Sequence, residues 1–190
     1  MLKLRQSRRD HHLRPLPLVA LGRLLYCSYG ARGYRKIEGQ WTYDRPAPSA
    51  GGLYPLEIYI ATQMVEGLTD AIYHYDARAH QLELRCTGQF HSALADMTIG
   101  QDMIRDANLV ILISAIFHRT MWKYGQRGYR YVFLDAGHLG QNFYLVATAL
   151  GLGPVAIGGF FDEEINRLVG LPDDEEVIYL LCVGQSKDET

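Results

Sequence analysis

The stretch 123–153, KYGQRGYRYVFLDAGHLGQNFYLVATALGLG, constrains the fold of this 190-residue chain more than any other segment. From Arg130 to Pro154 it holds no proline, and Val132, Phe133, Ala136, Leu139, Phe143, Leu145, Ala147 and Leu150 recur at helical spacing, which predicts a long helix. Its polar positions, Asp135, His138, Gln141 and Asn142, are too few to wet a whole face. Such a helix has to be covered nearly all round, by its own domain or by a second subunit. Gly151 and Gly153 supply the stop, and Pro154 prevents continuation. His138, inside the helix, is expected to be a satisfied buried side chain.

At this length one domain over residues 1–190, with a sizeable core, is expected. The formal net charge of -2 gives no overall attraction to nucleic acid, although Lys3, Arg5, Arg8, Arg9 and Arg14 make a basic run at the N-terminus. No apolar stretch is long enough to span a bilayer, 108–117 being strand-sized. The basic start is not followed by a signal-peptide core, so a cytoplasmic chain is expected. Cys27, Cys86 and Cys182 match neither a zinc spacing nor a disulfide framework and are expected to be buried free thiols. The seven histidines form no i, i+4 pair on one helix face and no HExxH, so no metal site is expected.

Read in order, 17–29 is a short helix entered through Pro15 and Pro17 and ended by Gly30. Residues 31–49, with Gly33, Gly39, Pro46 and Pro48, show no clear period and read as a long loop. A strand at 56–63 precedes a hairpin of 71–75 with the alternating Leu82, Leu84 and Cys86. A short helix at 91–97 and a doubly buried central strand at 108–117 follow. After the long helix, 154–159 is short, apolar and ends in paired glycines. Asp162 is expected to cap a helix to Val169, with Glu163 and Glu164 in its first turn. Residues 176–184 form a last strand, and the polar tail QSKDET is expected to fray. The class is α+β: a mixed or antiparallel sheet with helices packed on it.

Four segments can carry chemistry. In LRQSRRD, Arg5, Ser7 and Arg9 alternate, so an extended backbone points two guanidinium forks and a hydroxyl the same way, as one phosphate requires. The alternative is a disordered basic terminus. In PSAGGLYPLE, Ser49, Gly51 and Gly52 let backbone amides approach a ligand, or simply make a turn before a strand. It is neither a P-loop nor a GxGxxG fingerprint. In VAIGGFFDEE, Gly158 and Gly159 expose amides between a strand and a helix, or make a tight turn. In HRTMWKYGQRGYRY, Lys123 and Tyr124 are neighbours with Arg127 and Arg130 close by. Clustered cations favour a neutral amine and a phenolate, either of which is a usable general base. Aromatic packing with snorkelling arginines explains the same residues. A triad of Ser49, His138 and Asp135 has no nucleophile-elbow sequence behind it.

Together RQSRR, RPAPSAGGLYPLEIYI, IYHYD, RTMWKYGQRGYRYVFLDAGHLGQN, ALGLG, AIGGFFDEEIN and YLLCVG resemble the FMN-dependent nitroreductase superfamily, and within it the SagB-type dehydrogenases related to azoline oxidases. The resemblance implies an intertwined homodimer with two FMN sites at the subunit interface. Arg5, Ser7 and Arg9 would hold the phosphate, Pro48, Ser49, Gly51 and Gly52 would approach the flavin from the other subunit, and Ile157, Gly158 and Gly159 would lie near N5. Lys123 and Tyr124 match the catalytic Lys-Tyr pair of azoline oxidases. Gly52 stands where many nitroreductases have Asn, and the basic residues that follow the last strand are reduced to Lys187. The implied activity is hydride transfer through flavin N5, on a peptide azoline or small molecule. Alternatives are an NAD(P)H-dependent nitro or quinone reductase and a non-catalytic flavin-binding subunit. No nucleic-acid or membrane partner is implied.

Overall fold

The structure is a computed structural model and describes residues 2–37 and 39–186. The chain runs β1 His11–His12, α1 Leu18–Tyr29, β2 Gly33–Ile37, β3 Gln40–Asp44, β4 Leu56–Thr62, β5 Ala71–Asp76, β6 Gln81–Thr87, α2 His91–Asp96, β7 Leu109–Ala115, α3 His118–Tyr124, α4 Arg127–Ala149, β8 Leu152–Ile157, α5 Asp162–Val169 and β9 Glu176–Ser186. Among these, seven strands form one sheet in which every pairing is antiparallel, in the order β8-β9-β7-β4-β5-β6. β1 pairs with Gln185 and Ser186 of β9, beyond the reach of β7. The expected α+β class is observed.

Side-chain alternation on the central strands divides the core. Leu109, Ile111, Ile113 and Ala115 of β7 join Leu56, Ile58 and Ile60 of β4 under α1 and α4. Val110 and Leu112 join Tyr59 and Ala61 on the opposite face, under α2 and α5. Because both faces are covered, β7 is buried along its whole length, as its unbroken apolar run predicts.

Several expectations are corrected. Residues 31–49 are not a structureless loop: β2 and β3 pair antiparallel, with Tyr34 opposite Tyr43 and Arg35 opposite Thr42. The stretch 123–153 is not one element, because Gly125, at φ 55 and ψ -143, ends α3 before α4 begins. That backbone conformation is open to glycine and costly elsewhere. Asp162 is the first helical residue of α5 rather than its cap; Phe161 takes the cap position without a side-chain bond, and the acids still match the macrodipole. His138 is exposed, on the outer face of α4. Cys182 is buried, but Cys27, on the outer side of α1, and Cys86, on the sheet-edge strand β6, are exposed. At the tail, Gln185 and Ser186 stay in β9, and Lys187 lies outside the described residues. No helix among the described residues is long and apolar enough to cross a membrane, and none of their His, Cys, Asp and Glu clusters suits a metal ion.

The covering of α4 is incomplete. Val132, Ala136, Leu139, Phe143 and Ala147 face the sheet, while Arg130, Phe133, Leu134, Gly137, His138 and Gln141 make an exposed stripe. Leu134 is 59% exposed and Trp122, on α3, 66%.

Candidate functional site

Two of the four segments meet. The strand β4 has to begin under α4, so the glycine segment before it is drawn back across that helix. There Ala50–Gly52 forms a single 3-10 turn, with Gly51 at φ 63. The Ser49 hydroxyl donates to the Asp135 carboxylate of α4 at 2.6 Å and accepts from the Tyr54 amide at 2.9 Å. The Ala50 amide lies 3.3 Å from each carboxylate oxygen. Behind the turn, the Arg45 guanidinium lies 4.3 Å from the Tyr29 ring centre and 5.1 Å from that of Tyr54, two rings that themselves meet edge-to-face. Burial drives the Asp135 pKa up, and the bonds from Ser49 and Ala50, with the nearby His138, only partly offset it.

α3 brings the Lys-Tyr pair against this turn. A Cβ built on Gly51 would stand 2.7 Å from the Tyr124 phenol oxygen and 3.3 Å from Lys123 Nζ. Lys123 Nζ lies 5.5 Å from the Tyr124 ring centre, and that ring meets Tyr131 edge-on. α3 is held to the sheet by Arg119, which donates to Glu57 at 2.5 Å; the other Glu57 oxygen is 3.2 Å from His74 Nε2. Burial opposes ionisation of Glu57, but the bonds from His74 and Arg119 outweigh it and hold its carboxyl below the usual range. The β2–β3 hairpin braces the turn from outside, Thr42 donating to the Gly52 carbonyl at 2.8 Å and Arg35 to the Tyr54 hydroxyl at 3.1 Å.

The other two segments meet elsewhere. The Ser7 hydroxyl is 2.9 Å from that of Tyr144, which also accepts the Ala156 amide at 2.8 Å. The Arg5 guanidinium lies 5.1 Å from the centre of the same ring. The Arg8 amide donates to the Pro154 carbonyl at 2.9 Å, so the N-terminal segment runs beside β8. β8 then delivers the buried Ile157 and the exposed Gly158 and Gly159. A Cβ on Gly158 would meet nothing within 4 Å, so the space above it is free. Arg9 and Pro48 are exposed.

One chain therefore carries two separate clusters, the candidate half-sites. Asp135 and Tyr144 are nine positions apart on α4, roughly 13 Å along the axis and about half a turn around it. The exposed stripe runs between them. The serine, acid and histidine of the imagined triad do not make one: Ser49 gives its proton directly to Asp135, and no imidazole stands between. Tyr144, which ties Ser7 to β8, was not anticipated, since a tyrosine inside an amphipathic helix looks like core. A cavity of about 480 Å³ between α5 and the turn before β9 is lined by Glu163, Asp173, Asp174, Glu175 and Glu176. It touches neither cluster, and its lining is net acidic, with five acids against Arg167.

A sequence model described as the Nitroreductase family matches residues 2–185. MJ1384 of Methanocaldococcus jannaschii, which carries the nitroreductase name, is 36% identical over 184 residues, 95% of this chain and 87% of its own. The microcin B17-processing protein McbC of Escherichia coli is 29% identical over 145 residues, 73% of this chain but only 52% of McbC. The crystal structure of a nitroreductase-named protein from Anabaena variabilis superposes with a TM-score of 0.82 at 33% identity, over 96% of this chain and 37% of that one.

Proposed function

The chain belongs to the nitroreductase family, and on that premise we propose that it is an FMN-dependent oxidoreductase of the SagB type, working as a homodimer whose sites are each lined by both protomers. The observation that carries the reading is the packing of the Gly51 turn against the Tyr124 phenol oxygen and Lys123 Nζ. The residues fit the cofactor: Arg5 and Arg9 supply forks for a phosphate, and the open space over Gly158 suits a flat ring. Because the half-sites flank the exposed stripe of α4, a second copy packed on that stripe brings the glycine turn of one protomer to the arginine end of the other.

Bound FMN supplies hydride chemistry at N5. Ile157, Gly158 and Gly159 would hold it with backbone groups, and the 49–52 turn would contact it. Lys123 Nζ as the free amine, or Tyr124 Oη as the phenolate, would take the substrate proton. The substrate class is a peptide azoline or a small azoline-like molecule, in keeping with the similarity to a microcin-processing protein. The higher identity to MJ1384 favours a second reading, an NAD(P)H-dependent nitro or quinone reductase.

The test is an absorption spectrum of the purified protein, with and without added FMN, repeated anaerobically after NADPH, NADH and an azoline peptide. A flavin band bleached by the azoline supports the SagB reading, and bleaching by NAD(P)H alone supports the reductase. Flavin retained without bleaching by any of them marks a non-catalytic subunit. Protein that stays colourless with FMN overturns the cofactor assignment.

A further inference from the structure

We propose that Asp135 is the positioning residue of this site, its carboxylate setting the gap between the 49–52 turn and the Lys123–Tyr124 pair. The inference rests on the flavin reading above. Asp135 is only 6% exposed, an expensive place for a carboxylate unless its oxygens are used. Among the described residues, their hydrogen bonds go to the turn: Oδ2 accepts from the Ser49 hydroxyl, and both oxygens face the Ala50 amide. The Ser49 hydroxyl then has no proton left and accepts from the Tyr54 amide. Both ends of the turn are thus fixed through a single acid on a rigid helix.

What is fixed lies at contact distance from the chemistry. Between those ends, Gly52 donates to the Ser49 carbonyl at 3.0 Å and Leu53 to the Ala50 carbonyl at 3.3 Å. This winding points Gly51 at the phenol and the ammonium with no room for a methyl group. A turn released from Asp135 moves either into those groups or away from them. It also loses the backbone placement a bound ring would rest on. A turn needing only to connect β3 to β4 would require no buried acid.

The experiment titrates FMN, by quenching of its fluorescence, into the full chain and its Asp135→Leu, Asp135→Asn, Ser49→Ala and Ser49→Ala/Asp135→Leu variants, with a thermal melt of each. Asp135→Leu is isosteric but orphans two buried donors, and is expected to weaken FMN binding about tenfold or more. Asp135→Asn keeps an acceptor for Ser49 and is expected to recover binding to within about threefold of the wild type. The double variant should bind no more weakly than Asp135→Leu alone, because both changes act through one turn. If Asp135→Leu melts earlier yet its folded fraction binds FMN like wild type, Asp135 is merely structural and the inference fails. Additive losses in the double variant also overturn it. Should the leucine variant not fold, Asp135→Asn against Ser49→Ala decides on the same criterion. Wild type that does not bind FMN removes the underlying reading instead.

Discussion

Gly51 leaves no room for a side chain in the candidate site. Alanine there combines a left-handed backbone, costing about 1–2 kcal/mol, with a methyl group 2.7 Å from the Tyr124 oxygen. We expect Gly51→Ala to melt several degrees earlier and to lose at least tenfold in flavin-dependent turnover; unchanged turnover would mean that the turn and the phenol do not meet in solution. His91 offers a separate test. It is buried, neither ring nitrogen has a hydrogen-bond partner among the described residues, and burial lowers its pKa from 6.5 to about 4. Protonation therefore favours the unfolded chain. The contribution of the neutral ring is whole above about pH 6.5 and falls by about 3 kcal/mol as the pH drops to 4. His91→Leu should flatten that decline in urea unfolding between pH 7 and 4. His74, raised by its bond to Glu57, acts in the opposite sense, stabilising below 6.5 and losing that as the pH rises, so the readout is the difference between variant and parent. At this scale part was legible: glycines beside a serine announced close backbone approach, and the adjacency of Lys123 and Tyr124 marked a candidate pair, which the fold sets against Gly51. The acid behind them was visible only as a lone Asp in an apolar helix, and His138 looked buried because the sequence does not say which flank of α4 its own chain leaves bare.

Among the elements, α3 matters more than its length suggests, because it alone carries Lys123 and Tyr124 and is pinned through Arg119 to Glu57. Glu57→Gln leaves Arg119 and His74 without their carboxylate. The pair is only partly buried, so we expect a loss of about 1–2 kcal/mol rather than the larger cost of a fully buried pair. Hydrogen exchange should quicken in α3 and not in β7; uniform quickening would show a global effect. Since its partners hold Glu57 below the usual carboxylate range, this contribution is lost only as the pH falls below about 4.5, through the folded pKa, a window distinct from that of His91. Strands and helices with a clean period were readable from sequence: β7 from its apolar run, α1 from leucines at helical spacing, the β5–β6 hairpin from alternation. The β2–β3 hairpin was not, because its outward face is as aromatic as its inward face is polar. Tyr34 and Trp41 point to solvent while Arg35 and Thr42 brace the turn, inverting the usual pattern. The break at Gly125 was hidden by helix-compatible residues on either side.

For the molecule as a whole, α4 carries the glycine-turn cluster and the Tyr144 cluster on either flank of a stripe that its own chain does not cover. Composition foretold a helix too apolar for solvent and could not say where the cover was missing; the fold places the bare stripe between the glycine turn and the arginine end. A chain acting alone would keep Arg5 and Lys123 apart and leave Phe133, Leu134 and Trp122 in water. Two copies packed through this stripe would bury those side chains and complete two sites at once. Leu134→Lys combined with Phe133→Glu should therefore convert a dimer of twice 21.5 kDa into a monomer in light scattering. The same change should weaken FMN binding at least a hundredfold, although neither residue belongs to the bonded groups of either half-site. Far-ultraviolet circular dichroism separates this from unfolding, since both positions are exposed and the sheet-facing residues of α4 stay untouched. A parent protein that runs as a monomer, or a monomeric variant that binds FMN as tightly as the parent, would mean that one chain closes the site unaided and that the bare stripe serves another purpose.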